Sequence, residues 1–268
     1  MLPIDNLTLY SLILLTGCAA GLMAGLLGVG GGLIIVPTLV FLLSAQGHDP
    51  GTVMHVALGT SLASVVFTSI SSVYAHHRHG AVQWPTTARM SAGMLAGTFA
   101  GAMLAGQLET GLLIHIFGIY ALVVALQMGS GWRANAHSEL PKVEALSLAG
   151  VIIGVISSFV GIGGGSLSVP YLMWHSVPIR QAVATAAANG LPIAAAGAAG
   201  YIISGLTAQG WQGLELGYVH LGALAALVAG SMLLAPLGAR IAHSINPTRL
   251  KQVFALLMAV IGLKMLLP

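Results

Sequence analysis

Long apolar stretches alternate with short polar loops along the whole chain, and this pattern predicts membrane-spanning helices. Most of the stretches reach the roughly 20 residues that an α-helix needs to cross a bilayer. The two stretches that follow glycine clusters are shorter, about eleven apolar residues each, which favours re-entrant or strongly kinked helices. The ten stretches are 7–27, 33–43, 53–75, 84–106, 111–128, 143–160, 167–177, 182–204, 216–238 and 250–267.

The composition agrees with an integral membrane protein whose main partner is the lipid bilayer. Hydrophobic residues make up 57% of the chain and charged residues only 6%, whereas soluble domains are about 25% charged. The 36 glycines fit close packing between transmembrane helices. Cys18 is the single cysteine, which excludes an intrachain disulfide and a cysteine metal cluster. The nine basic residues are scattered and form no stripe, so no nucleic-acid partner is expected.

The chain contains an internal repeat. A shift of 133 positions places Gly28-Val29-Gly30-Gly31-Gly32 on Gly161-Ile162-Gly163-Gly164-Gly165, and nine residues between positions 17 and 39 are identical in the two copies. This number exceeds the few matches that the biased composition would give by chance. The repeat predicts a first membrane repeat at 1–129, a cytoplasmic linker at 130–142 and a second membrane repeat at 143–268.

Equivalent loops of the two copies carry opposite charge. Because Lys and Arg prefer the cytoplasmic side, equivalent loops are expected on opposite sides of the membrane. The sequence therefore predicts an all-α polytopic membrane protein built from two inverted repeats, each of about five helical segments with a Gly-rich helix break. Three pairs of equivalent loops show the contrast. Asp49 corresponds to Arg180, and the loop at 76–79, which contains Arg78, corresponds to the loop at 209–215. In the third pair, Glu109 corresponds to the loop region with Arg240, Arg249 and Lys251.

The glycine clusters are the main candidates for chemistry. A nucleotide-phosphate loop is disfavoured because there is no strand-loop-helix context and no following Lys-Ser/Thr. One reading is a flexible break or a close helix crossing. The other is that the breaks expose backbone N–H groups and positive helix ends to an anion in a cavity.

Polar residues at aligned places extend this candidate anion site. Hydroxyl and amide donors can bind an oxyanion without a buried fixed charge, although hydrogen bonding between helices is an equally good role for each of them. No apolar segment has an Asp or Glu near its middle, so a carboxylate proton relay or common sodium site is unsupported, and no metal or cofactor is expected. The predicted substrate-binding residues are Gly28, Gly30, Gly31, Gly32, Gly59, Thr60, Ser61, Gly161, Gly163, Gly164, Gly165, Ser166 and Asn189.

Three sequence features together resemble the TauE/SafE family of sulfite exporters. They are residues 25–32 followed by Val36-Pro37, residues 159–165 followed by Val169-Pro170, and 57–61, Ala-Leu-Gly-Thr-Ser. The resemblance covers essentially the whole chain and implies transport of sulfur-containing anions, such as sulfite, thiosulfate, sulfoacetate or related organosulfonates, across the bacterial inner membrane. In the second copy, Ala-Ala-Ala-Asn at 186–189 replaces the Gly-Thr-Ser pattern, so only Asn189 is carried over there.

The resulting functional prediction is a secondary transporter that exports a small sulfur-containing anion, with a midplane site at the paired breaks. An anion channel or passive pore that uses the same helix dipoles is the alternative. An enzyme is disfavoured because the sequence offers no nucleophile–base set, paired carboxylates or metal-ligand spacing. A homo-oligomer is compatible with these features.

Overall fold

The computed structural model describes residues 5–27, 31–130, 139–241 and 247–267. Gly28 and Gly30 of the first break, and Arg133 in the predicted linker, lie outside these residues. The described part of the chain holds ten α-helices, which confirms the predicted all-α class. The helices are α1 (Asn6–Leu27), α2 (Gly32–Ala45), α3 (Val53–Arg78), α4 (Trp84–Ala105), α5 (Thr110–Gly129), α6 (Val143–Val160), α7 (Gly165–Trp174), α8 (Ile179–Ala208), α9 (Leu221–Ile241) and α10 (Pro247–Leu266).

A small antiparallel sheet, which the sequence did not predict, lies in the loop between α8 and α9. Its strands, in sheet order, are β1 (Trp211–Gln212), β2 (Glu215–Leu216) and β3 (Val219–His220). Each strand has two residues, too few for an alternating apolar pattern to reveal.

The outer surface of the helices is apolar, as a lipid-facing surface must be. Five helices, α1, α3, α5, α6 and α8, are long and apolar enough to cross a membrane. Large side chains on several helices point outward, among them Leu126, which is 73% exposed, and Leu233, which is 72% exposed. Exposed apolar surface on this scale is unusual for a soluble monomer. The chain is therefore a multi-pass membrane protein.

Glycines bring α4 and α6 into close parallel contact. The Cα of Gly93 faces the backbone of Ser147, and one turn later Gly97 faces Val151. A Cβ at either position would overlap the opposing carbonyl oxygen. This is the close approach that small residues permit between membrane helices.

The same arrangement joins α1 and α9. Gly17 lies against the backbone of Leu227, and Gly21 lies against Ser231, so these two helices are also parallel. In the repeat, α1 corresponds to α6 and α9 corresponds to α4. The two tightest helix pairs are therefore equivalent, and each pair joins one repeat to the other.

In two further contacts, α3 with α8 and α5 with α10, the two helices occupy equivalent positions in the repeat. Each of these two pairs is antiparallel. Gly59 of α3 contacts Tyr201 of α8, whereas Ser69, ten residues later, contacts Gly190. In α5 and α10, Gly118 contacts Gly262 while Gly129 lies nearest to Ala255. In these two pairs, equivalent helices thus run in opposite directions. The repeat boundaries themselves stay a prediction.

The loops at one end of the bundle form a surface that we call the acidic face. The Gln46 side chain donates a hydrogen bond to Asn6 (2.9 Å), so α1 begins where α2 ends. Thr110, at the start of α5, donates to the carbonyl of Gly51 in the loop before α3. His48 pairs with Glu215 across the same end. Four carboxylates belong to these loops and to the start of α1: Asp5, Asp49, Glu109 and Glu215.

The opposite end, which we call the basic face, holds the end of α3 and the start of α8. The backbone N–H of Gln83 donates to Thr185 (3.1 Å), and the Gln83 side chain donates to Gln181 (2.7 Å). Arg78 and Arg180 flank this contact in the sequence. The preference of Lys and Arg for the cytoplasmic side predicts that the basic face is cytoplasmic.

Candidate anion site

The second glycine cluster breaks the helix between α6 and α7 with two residues in the left-handed region. Gly161 (φ +70°) ends α6, and Gly164 (φ +73°) precedes α7. The N–H groups of Gly161 and Ile162 both donate to the carbonyl of Ser157, at 2.9 and 3.2 Å. Glycine is favoured at such positions because a Cβ is strained there. The repeated motif therefore encodes a sharp change of chain direction.

The start of α7 presents backbone donors that have no partner within their own helix. The carbonyl of Gly164 accepts from Leu167 (3.1 Å) and Ser168 (2.8 Å), which leaves the N–H groups of Gly165 and Ser166 without a partner in their helix. The ten residues of α7 span about 15 Å, half of the roughly 30 Å hydrocarbon core. Helix α7 is therefore too short to cross the hydrocarbon core, and its N-terminus carries the positive end of a helix dipole, which favours anions.

The structure brings the two breaks into contact. Gly32, the first residue of α2, packs directly against the carbonyl of Gly161 from the other repeat. Ser61 in α3 donates its hydroxyl to the same carbonyl (2.7 Å). Gly31 packs against Ala20 of α1. Residues from both repeats therefore hold the centre of the bundle together.

A cavity lies beside the second break on the side of the basic face. It includes Ser69 and Ser72 from the second half of α3, which ends at the basic face. Its volume of about 40 Å³ has room for roughly three water molecules. The lining residues are Ala24, Val65, Thr68, Ser69, Ser72, Gly163, Gly165, Ala186, Ala187 and Gly190.

The cavity wall is mostly apolar, but it includes three hydroxyl side chains and no charged side chain among its lining residues. Thr68 donates its hydroxyl to the carbonyl of Val65 in its own helix (3.1 Å). In the described part of the chain, Ser69 and Ser72 have no hydrogen-bond partner. Their hydroxyls and the N–H of Gly165 are therefore available to a ligand that accepts hydrogen bonds.

Small residues make room for this cavity. A Cβ on Gly190 would lie 2.9 Å from the Ser69 hydroxyl and 3.2 Å from the Gly163 carbonyl oxygen. A Cβ on Gly163 would lie 2.9 Å from Val65. Larger side chains at these places would fill the space between α3, α8 and the break.

Of the predicted site residues, Gly163 and Gly165 line the cavity, whereas Thr60, Gly59 and Ser166 have other contacts. Thr60 accepts a hydrogen bond from the backbone N–H of His220 (2.9 Å), toward the acidic face. Gly59 packs against Tyr218. Ser166 pairs with the hydroxyl of Tyr120 in α5 (2.6 Å).

Asn189 is fully buried next to the lining residue Gly190 but does not itself line the cavity. Its amide nitrogen donates only to the sulfur of Met90 (3.7 Å), and its carbonyl oxygen has no partner among the described residues. Asn189 is therefore a buried amide with unused hydrogen-bonding capacity beside the cavity wall.

Sequence reasoning selected Thr60 and Ser61 of α3 but not the cavity-lining residues Thr68, Ser69 and Ser72, and it did not select Gly190. Thr68 and Ser72 are four residues apart and Ser69 and Ser72 are three apart, so all three share one helix face. That spacing was visible in the sequence. It did not distinguish these hydroxyls from the other Ser and Thr residues of the same helix.

Comparison with known proteins identifies the family. Residues 13–265 match the profile of the family described as sulfite exporter TauE/SafE. The chain belongs to the TauE/SafE family. It is 33% identical to a probable membrane transporter protein of Haemophilus influenzae over 97% of this chain and 99% of that protein. No solved structure matches the chain.

More distant relatives have the same general description. A probable membrane transporter protein of Methanocaldococcus jannaschii is 29% identical over 99% of this chain and 98% of its own length. The Bacillus subtilis protein YdhB, also a probable membrane transporter, is 28% identical over 95% and 99%. This TauE/SafE protein is thus a membrane transporter rather than an enzyme.

In this TauE/SafE protein, a packed layer separates the cavity from the acidic face. Leu58, Leu62 and Tyr201 in α3 and α8 are fully buried. The Tyr201 hydroxyl donates to the carbonyl of Ser158 in α6 (3.0 Å). Nearer the surface, the ring of His55 stacks on Tyr218 at a centroid distance of 4.9 Å. The described residues therefore close the bundle on the acidic side of the cavity.

Proposed function

We propose that this TauE/SafE protein is a secondary transporter that exports a small sulfur-containing anion, sulfite or an organosulfonate, and binds it in the cavity beside α7. One observation carries the proposal. Gly165, whose backbone N–H is free at the start of α7, and Ser69, whose hydroxyl has no partner among the described residues, line the same cavity at the helix break.

The donor set suits the oxygens of a sulfite or sulfonate group. Each of these oxygens accepts hydrogen bonds, and the cavity offers backbone N–H groups, hydroxyls and a helix N-terminus. Neutral donors bind an anion without the cost of keeping a buried cationic side chain when the site is empty. The small volume suits a compact head group more than a bulky substituent.

The helix arrangement supports inverted repeats and therefore alternating access. Equivalent helices α3 and α8 are antiparallel, and so are α5 and α10, whereas the interlocked pairs α1–α9 and α4–α6 are parallel. A two-fold operation that reverses helix direction accounts for all four pairs. In transporters of this architecture, one repeat moves against the other around a central site.

A carrier fits this arrangement better than the alternative of an anion channel or passive pore. A pore needs a continuous path, whereas the cavity is separated from the acidic face by buried residues such as Leu62 and Tyr201. An anion would then pass only when this layer opens and the cytoplasmic side closes. Transport should consequently saturate and show counterflow.

The substrate class is tested by titrating the purified protein with sulfite, thiosulfate, sulfoacetate and taurine in a calorimeter. Saturable binding of at least one sulfur anion, with weaker binding of chloride at matched ionic strength, is the expected result. Counterflow of the tightest binder in proteoliposomes would then support a carrier. Binding of none of the four, or currents far above carrier turnover, would overturn the proposal.

A further inference from the structure

An exposed apolar strip on α3 leads to a cation at the end of the helix. Phe67, Ile70 and Tyr74 are 44%, 53% and 64% exposed. They follow one another at spacings of three and four residues, so they share one side of the helix. Arg78, the last residue of α3, comes four residues after Tyr74 and is exposed on the same side.

The length of α3 brings Arg78 to the lipid head groups. The 26 residues of this helix extend about 39 Å, which is longer than the roughly 30 Å hydrocarbon core. The end of the helix at the basic face therefore reaches the head-group layer. Phe67 precedes Arg78 by eleven residues, or about 16 Å along the helix axis. This distance is close to the roughly 15 Å of hydrocarbon in one leaflet.

Aromatic rings surround this end of the helix. The Cζ atom of Arg78 lies 5.8 Å from the centroid of the Tyr74 ring, which is a cation–π contact. Trp84, at the start of α4, donates its indole N–H to Nδ1 of His77 (3.2 Å), and the two rings meet edge-on with centroids 5.5 Å apart. Tyr and Trp are enriched at membrane interfaces. We call the surface formed by these four side chains the interfacial patch.

The interfacial patch offers hydrogen-bond donors to an anion. In the part of the chain that the structure describes, Arg78 makes no ion pair, so its guanidinium N–H groups remain available to a phosphate. Nδ1 of His77 accepts from Trp84, which leaves Nε2 as the donor of the neutral imidazole. None of the four side chains carries a negative charge that could attract a choline or ethanolamine group. The patch is therefore complementary to a head group with net negative charge.

We propose that the interfacial patch binds an anionic phospholipid of the cytoplasmic leaflet, with the phosphate at Arg78 and an acyl chain along Ile70 and Phe67. The basic face is predicted to be cytoplasmic, where the leaflet surface is negatively charged. A planar guanidinium can bind a phosphate through two parallel hydrogen bonds. The proposal concerns the lipid-facing surface rather than the anion cavity, so it is independent of the transported substrate.

A lipid fits this surface better than a free phosphate ion does. In the bilayer, acyl chains cover the strip that ends at Tyr74, because its side chains are exposed and apolar. The attached head group is thereby kept next to Arg78 at a high effective concentration, which a free ion lacks. The strip and the cation therefore act together only on a lipid.

Quenching of Trp84 fluorescence by brominated lipids measures which head group lies at the patch. A protein whose other three tryptophans are replaced by phenylalanine is reconstituted in vesicles with equal amounts of phosphatidylglycerol and phosphatidylcholine. Only one of the two lipids carries bromine on its acyl chains. Because both leaflets contain both lipids, the orientation of the protein does not matter. Phosphatidylglycerol should be preferred at Trp84 by about fivefold, as one Arg near an anionic lipid predicts. Equal quenching by the two lipids would overturn the proposal.

Two variants separate the patch from the general charge of the basic face. Arg78→Gln should reduce the preference to less than about twofold. Arg180→Gln is the matched control, because it removes the same charge from the same face at an exposed residue that makes no ring contact within the described ranges. Its preference should stay close to that of the protein with Arg180. A preference that survives Arg78→Gln, or that both variants lose equally, would contradict a site at the patch.

Inorganic phosphate distinguishes a lipid from a free ion. Added to the same vesicles at an ionic strength matched with chloride, it should leave the preference at Trp84 unchanged. Loss of the preference in phosphate but not in chloride would show that the patch takes a free ion and would reject the lipid. Quenching by neither brominated lipid would show that another protein surface, such as a second copy of the chain, covers the patch, and would reject the lipid too.

Discussion

Substituting Gly32 by Ala perturbs a contact between the backbones of the two helix breaks. The added Cβ would overlap the carbonyl oxygen of Gly161 and would lie 3.0 Å from the Cγ2 of Ile162. The carbonyl cannot move aside easily, because it belongs to the backbone and also accepts the hydroxyl of Ser61. The two breaks must therefore separate.

The expected loss of stability follows from overpacking in a closely packed interior. Such insertions typically cost about 1–3 kcal/mol, which corresponds to a fall in Tm on the order of several degrees for a chain of this size. Gly111→Ala is the matched control, since Gly111 lies in α5 with open space around it. There the better helix propensity of Ala should stabilise the protein by up to about 1 kcal/mol. The two substitutions thus have opposite signs.

Thermal unfolding of the purified variants in the same detergent, followed by tryptophan fluorescence, measures both effects. Gly32→Ala should unfold at lower temperature than the unsubstituted protein, and Gly111→Ala at the same or a higher temperature. The reasoning about a direct contact between the breaks is refuted if Gly32→Ala unfolds at the same temperature as Gly111→Ala.

Three further predictions concern topology, energetics and the packed layer. Single cysteines at His77 and Arg180 should react only from the cytoplasm and one at Asp49 only from outside; labelling of Asp49 and Arg180 from one side would contradict inverted repeats. Anion export should be driven by an inside-negative membrane potential, which is worth about 2.3 kcal/mol per charge per 100 mV. Proton coupling would be indicated instead if the flux in proteoliposomes followed a pH gradient but ignored an imposed potential. Tyr201→Phe removes the buried hydrogen bond to Ser158 (3.0 Å) and should lower the free energy of unfolding by about 1 kcal/mol. Anion affinity should not change, since Tyr201 does not line the cavity. A large loss of affinity in calorimetry would show that the packed layer belongs to the anion site.

The helices could be predicted from the sequence because the bilayer imposes a strong and local constraint. A run of apolar residues must be helical in lipid, and its length sets how far it extends. The segment predicted at 7–27 is α1, Asn6–Leu27, and the short segment predicted at 33–43 is α2, Gly32–Ala45. The glycine breaks could be predicted for a different reason, because the same glycine motif occurs in both copies of the repeat.

The cavity-lining hydroxyls could not be identified in the same way. Helix α3 carries seven Ser and Thr residues between Thr60 and Ser72, and such hydroxyls often bond within their own helix. Ser64 does so, donating to the carbonyl of Ser61 (2.7 Å). Ser61, predicted to bind substrate, instead donates to Gly161 in the other repeat. Only the three-dimensional packing decides which hydroxyl remains free.

The packing also changes which glycines are useful for testing the site. Gly31 and Gly164 have the sequence features of ligand-binding glycines. However, Gly31 lies against Ala20, and Gly164 has a positive φ and packs against Ile193. A valine at either position would strain the fold as well as the site. Loss of binding there would not separate the two effects, so the serines of the cavity provide the better test.

The affinity of Ser69→Ala for sulfite tests the central claim most directly. Ser69 has no hydrogen-bond partner among the described residues and lines the cavity beside Gly165 and Gly190. Loss of a hydrogen bond to a charged ligand costs about 1.5–3 kcal/mol, so the Kd measured by calorimetry should rise by about tenfold or more. Ser71→Ala, on the same helix but outside the cavity, should change it by less than about twofold. Unchanged sulfite affinity in a folded Ser69→Ala protein would contradict the assignment of the cavity as the anion site.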